Sequence, residues 1–143
     1  MNFKLNSQIS QTTTLETNAI IENIRFQLNE KDYRLIDVTD KSVTFDINQW
    51  ALRWNFKPER LDGGKFKIST SDNYTTVILS YYNDMLTPLI VFAALIVDLL
   101  IDSNYDIIIF FAAFYFVSGI IKIIISKIKS KQLLNDILNV EVS

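Results

Sequence analysis

Two apolar stretches separated by a short polar link constrain this chain more than any other feature. In residues 85–101, 14 of 17 positions are hydrophobic, and in 107–125, 16 of 19. At helical rise these stretches reach roughly 25 Å and about 28 Å, against a hydrocarbon core of about 30 Å. A chain of 143 residues has too little remaining protein to wrap two helices that are apolar nearly all round. The expectation is therefore a transmembrane helical hairpin over 84–126, with spans at about 85–101 and 107–126. Pro88 falls in the first turn of the first span, where its missing N–H costs nothing. Asp102, Ser103, Asn104, Tyr105 and Asp106 make a link that can turn the chain but cannot hold a domain.

The lysines give the expected orientation. Lys122, Lys127, Lys129 and Lys131 gather at the end of the second span, whereas the link carries Asp102 and Asp106 and no base. Both termini are thus expected on the cytoplasmic side of a bacterial inner (plasma) membrane, and residues 1–10 hold no apolar core resembling a signal peptide.

Two ionisable residues fall inside the apolar stretches, Asp98 and Lys122. Asp98 lies near the outer boundary and Lys122 near the inner one, a mismatch of roughly 15 Å, so they should not pair within one hairpin. The plainest reading of Lys122 is a side chain reaching the cytoplasmic headgroups, and of Asp98 a solvated helix end. A pore or ion-coupled role for the two is the sharper alternative. Small residues (Ala93 and Ala94 on the first span, Ala112 and Gly119 on the second) allow close helix packing, within the hairpin or between copies.

Residues 1–83 carry ten basic and ten acidic side chains and read as a small water-soluble α+β domain. Phe3, Leu5 and Ile9 mark a first strand. Thr13, Thr14, Leu15 and Glu16 offer a capping box for a helix whose apolar side is Leu15, Ala19, Ile20, Ile24 and Leu28, ending near Glu30. Two hairpins follow, 33–38 with 42–48 and 65–70 with 74–82, and Gly63 and Gly64 supply pliable backbone at the entry to the second. The expected fold is a small antiparallel sheet with one packed amphipathic helix. In element order this resembles the helix-on-sheet arrangement of TATA-binding-protein-like or helix-grip domains, a resemblance that implies no activity.

The most distinctive local run is Trp50-Ala51-Leu52-Arg53-Trp54-Asn55-Phe56-Lys57. Extended, it puts Trp50, Leu52, Trp54 and Phe56 on one side, as in an ordinary core strand. The functional alternative is an edge that rests on the headgroup layer or grips an apolar ligand, with Arg53, Lys57 and Arg60 toward phosphates. Beyond the second span, 127–143 reads as an amphipathic helical tail with Ile128, Leu133, Leu134, Ile137 and Leu138 toward one side. It can pack on the domain, lie in the interface or meet a partner.

Composition closes off much chemistry. The chain has no cysteine and no histidine, which removes disulfides, thiolate nucleophiles, the usual zinc sites and the commonest proton shuttle. Its three glycines form no phosphate loop, and a net charge of −2 gives no overall pull toward nucleic acid. Asp37, Asp40, Asp46, Glu59, Asp62 and Asp72 read as solvated surface charges. No catalytic, cofactor or metal residues are expected, and the chain is not expected to be an enzyme. The leading expectation is an integral membrane protein whose cytoplasmic domain is an interaction or assembly module. Its partners would be membrane lipids together with a second copy or another protein. Lipid or apolar-ligand binding by the domain is the alternative, and an oligomeric pore the second.

Overall fold

A computed structural model of the protein describes residues 4–47, 60–84, 86–101 and 105–139. These form an α+β fold of five antiparallel strands and three helices: β1 (Lys4–Thr13), α1 (Thr17–Glu30), β2 (Arg34–Thr39), β3 (Ser42–Asp46), β4 (Gly63–Thr70), β5 (Thr75–Asp84), α2 (Leu86–Ile101) and α3 (Tyr105–Leu138). The sheet order is β1-β5-β4-β3-β2, so the first strand returns beside the last and the chain leaves the sheet from its interior.

Strand β5 organises the sheet. Thr75, Val77, Leu79, Tyr81 and Asn83 alternate inward, and the strand is paired with β1 along its full length and with β4 from Thr75 to Tyr82. This explains how β1 forms at all. Its residues are mostly polar, with Asn, Ser and Gln that favour strands little, and an unbroken ten-residue register from Lys4 opposite Asp84 to Thr13 opposite Thr75 holds them. Across the inner face, Ile9, Leu79, Phe66 and Val43 lie side by side in register. On β2 the register slips between Leu35 and Asp37, a bulge that turns Ile36 outward, where it is 56% exposed.

The single packed helix expected from the sequence becomes two. Helix α1 lies toward β2 and β3, and the last four turns of α3 lie toward β5 and β1, on the same face. Ile20, Ile24 and Leu28 of α1 and Leu133, Leu134, Ile137 and Leu138 of α3 enter one core with Phe45, Phe66 and Leu79. Each such side chain contributes about 1.5–3 kcal/mol on burial. The tail therefore packs back on the domain as the continuation of α3. Its buried stripe is Ser126, Ser130, Leu133, Leu134, Ile137 and Leu138, and Ile128, expected on that side, stands about half exposed. Position 128 is roughly 200° around the helix from 126, on the opposite side. Asn23 donates to the carbonyl of Ile137, satisfying one of the acceptors that a helix end leaves open.

The capping box does not form. Glu16 is the N-cap, with no side-chain cap bond, and the Thr13 hydroxyl accepts instead from the Leu15 N–H at 3.3 Å. Helix α1 ends as expected at Glu30, followed by Asp32 at φ 62°. The Tyr33 N–H returns to the Leu28 carbonyl and the Asp32 N–H to that of Asn29, a left-handed stop usually assigned to glycine.

Gly63 and Gly64 are needed for space, since neither has a positive φ. A Cβ on Gly64 would lie 2.6 Å from the Ser80 carbonyl oxygen and 3.1 Å from the Phe45 ring, and one on Gly63 would strike the Tyr82 ring.

The two-span hairpin is not established. Among the described residues only α3 is long and apolar enough to cross a membrane, and its most apolar window is almost wholly unburied, which separates it from a core helix. Helix α2 packs against α3 but has 16 residues, about 24 Å, because β5 keeps the chain extended as far as Asp84. Residues 102–104, the first three of the expected link, lie outside the described residues.

Candidate functional site

The polar side chains that the fold gathers lie where the chain passes between domain and apolar helices. Asp62, just ahead of β4, is the hub. One of its carboxylate oxygens accepts the Asp84 N–H at 2.7 Å and the Lys122 ammonium at 2.8 Å. Both partners of the ion pair are largely covered, at 14% and 17% side-chain exposure, which places it above the weak surface class. One turn further along α3, the Ser126 hydroxyl donates to the buried Asn83 side chain at 2.6 Å. Thus Asp62, held by the Asp84 N–H, and Asn83 clamp α3 where its apolar stretch meets the domain.

These contacts revise two expectations. Lys122 is engaged by the domain and not left to reach for headgroups, and Asp62 is no solvated surface charge. Asp46 is paired as well, in a two-pronged contact with Arg34 at 2.8 and 2.9 Å, and that carboxylate holds the guanidinium's pKa above its usual value. Asp98 is exposed on α2, and the structure gives it no ion pair among the described residues.

Arg60 also borders a small, half-open cavity of about 220 Å³, lined besides by Lys31, Tyr33, Lys129, Gln132 and Leu133. The Leu61 N–H donates to the Tyr33 hydroxyl oxygen at 3.0 Å, and Arg60 lies 6.0 Å from the centre of the Tyr33 ring. Burial raises the Tyr33 pKa above 10, partly offset by the Leu61 bond and by Arg60, with the Asp62 charge adding to the rise. The phenol is thus protonated at ordinary pH. Lys31 meets Asp136 at 2.6 Å, and Arg60 lies 3.7 Å from Asp32.

Of the aromatic and basic run, Trp50, Arg53, Trp54, Phe56 and Lys57 lie outside the described residues, and Arg60 alone is placed, at the cavity. Ala93 and Ala94 are exposed and Ala112 is half-buried, while nothing lies within 4 Å of a Cβ built on Gly119. Among the described residues no close crossing calls for a glycine there. Among the described residues no group of three or more acidic side chains could hold a metal ion.

Compared with protein-family models, with curated proteins and with solved structures, the chain matches none of them.

Proposed function

We propose that the protein is a membrane-anchored interaction or assembly module. Its α+β domain would stand on the cytoplasmic face of a bacterial inner membrane, with both termini on that side. The observation that carries this reading is the single unbroken helix α3, whose first half is apolar and exposed and whose second half belongs to the domain core. An anchor built this way fixes the domain's height and tilt at the membrane, which suits a module that must present one surface. Lys122, Lys127, Lys129 and Lys131 at the domain end of α3 support a cytoplasmic domain. Helix α2, apolar and packed on α3, would cross beside it as the second span, with little length to spare.

A docking role for the domain draws support from its edges. Strands β1 and β2 are the two ends of the sheet, each with one side unpaired among the described residues, and on β2 the exposed Ile36 and Val38 add apolar surface to that edge. The interior offers less to an apolar ligand, since Phe45, Phe66, Ile20, Ile24, Leu28 and Leu79 fill the space between sheet and helices.

Native mass spectrometry of the full chain in a mild detergent tests the proposal. A complex of fixed stoichiometry that persists on dilution is expected, and is weakened by Val38→Asp on the β2 edge. A bare monomer at every concentration contradicts it.

A further inference from the structure

The cavity beside Arg60 is built from cations drawn from separate parts of the chain: Lys31 after α1, Arg60 ahead of β4, and Lys129 on α3. Among the described residues its lining holds no carboxylate. Lys31 meets Asp136 and Arg60 has Asp32 only at 3.7 Å, so the charge of Lys129 and most of that of Arg60 are left for an anion to offset at short range. We propose that this cavity is a binding site for a phosphate-type anion, gripped chiefly by Arg60 and Lys129.

The neighbouring acids leave those two groups available. Asp32 is 3.7 Å from Arg60, beyond good hydrogen-bond length, and its side chain is 81% exposed, so most guanidinium donors remain open. Asp136 is taken up by Lys31, which also sits at the partly negative end of α1, so Lys31 is the least free of the three cations. Asp62 is committed to Lys122 and the Asp84 N–H. Lys129 is half-buried and meets no carboxylate among the described residues. Tyr33 accepts from Leu61 through its oxygen, which leaves its proton to donate, and Gln132 adds an amide donor. Arginine, lysine, hydroxyl and amide around one small space is a donor set that recognises phosphate oxygens.

Size and depth narrow the ligand. A cavity of about 220 Å³ is below the roughly 300–1,000 Å³ of clefts that hold drug-sized molecules, so it takes a compact group. Lys129 lies seven residues past Lys122, about 10 Å further from the apolar half of α3. In the membrane-anchored arrangement this is just beyond the headgroup layer, within reach of a protruding lipid phosphate or of a free one.

The test uses the full chain in phosphatidylcholine nanodiscs, with Lys129→Gln and Arg60→Gln as variants and Lys131→Gln, on the exposed side of the same helix, as control. One arm measures the rise in melting temperature caused by inorganic phosphate against chloride at equal ionic strength. The other adds phosphatidylglycerol to the discs and counts the molecules retained in native mass spectra. Expected is binding in one arm, weakened about tenfold by either cavity variant and unchanged in Lys131→Gln. Response to inorganic phosphate identifies a soluble source, and retention of phosphatidylglycerol alone identifies a lipid. Binding in neither arm, or equal loss in Lys131→Gln, overturns the proposal. Because Lys129 has no acidic partner here, Lys129→Gln should keep the chloride melting temperature, so that its loss of binding is not a loss of fold.

Discussion

The two halves of α3 are one helix in two environments. From Tyr105 to about Ile121 most large side chains are exposed: Ile107, Ile109, Phe110, Phe114, Phe116 and Val117 are all more than half exposed, while Ile108 is buried. From Ser126 to Leu138 the buried residues form one stripe, and apart from the exposed Ile128 the rest of the circumference is mostly lysine, glutamine, asparagine and aspartate. A helix apolar on every side suits surroundings that are apolar on every side, whereas a striped helix suits a boundary between core and water. The backbone does not break at the change. The polar clamp of Asp62, Asn83 and Lys122 marks it instead.

If the halves differ in this way, equal truncations should have unequal effects. Ile137→Ala removes a fully buried side chain and should cost the domain about 2–5 kcal/mol, read by urea unfolding in detergent, while Phe116→Ala should change that transition by less than about 0.5 kcal/mol. Comparable losses at both sites would dissolve the distinction. At the border, Asp62→Ala strands the Lys122 ammonium and the Asp84 N–H. It should cost about 1–3 kcal/mol, less than the 3–5 typical of a fully buried pair because some solvent reaches both groups.

On the domain side, the raised Tyr33 pKa means that the fold favours the protonated phenol. That contribution is fully present below about pH 10 and fades as pH rises through the higher folded value. Tyr33→Phe should therefore flatten the alkaline fall in melting temperature, at a neutral-pH cost of about 1 kcal/mol for the lost Leu61 bond. An unchanged alkaline profile would show that the ring is not held as described. Smallest is Asp32→Gly, which relieves a left-handed backbone at φ 62° and should stabilise the domain by about 0.5–1 kcal/mol in the same unfolding assay.

Much of the fold was legible because single-residue periodicity carries it. Val43 and Phe45 on β3 and the Ile20, Ile24, Leu28 spacing on α1 read directly as one buried face each. What local pattern could not carry was pairing between distant segments. Nothing near Thr13 shows that β1 lies beside β5, or near Ser126 and Ser130 that these small polar residues, and not Ile128, face the sheet. The same limit governs the site. Lys122 was legible as an unusual charge at the end of an apolar run, but its partner Asp62 is 60 residues away and looks locally like any acid beside a turn. The cavity had one visible member, Arg60. Lys31, Tyr33 and Lys129 join it only through the packing of α1 and α3. The two-span hairpin was read from composition, which does not show where β5 ends and so how few residues are left for α2.

Cysteine scanning along α3 with a water-soluble maleimide, in membranes, tests the central claim most directly, because the chain has no cysteine of its own. The division of α3 predicts protection at every position from 107 to 121 whichever way it faces. From 126 to 138 it predicts labelling with helical period, strong at Lys127 and Lys131 and absent at Ser130, Leu134 and Ile137. Labelling through 107–121, or uniform labelling from 126 onward, would contradict it.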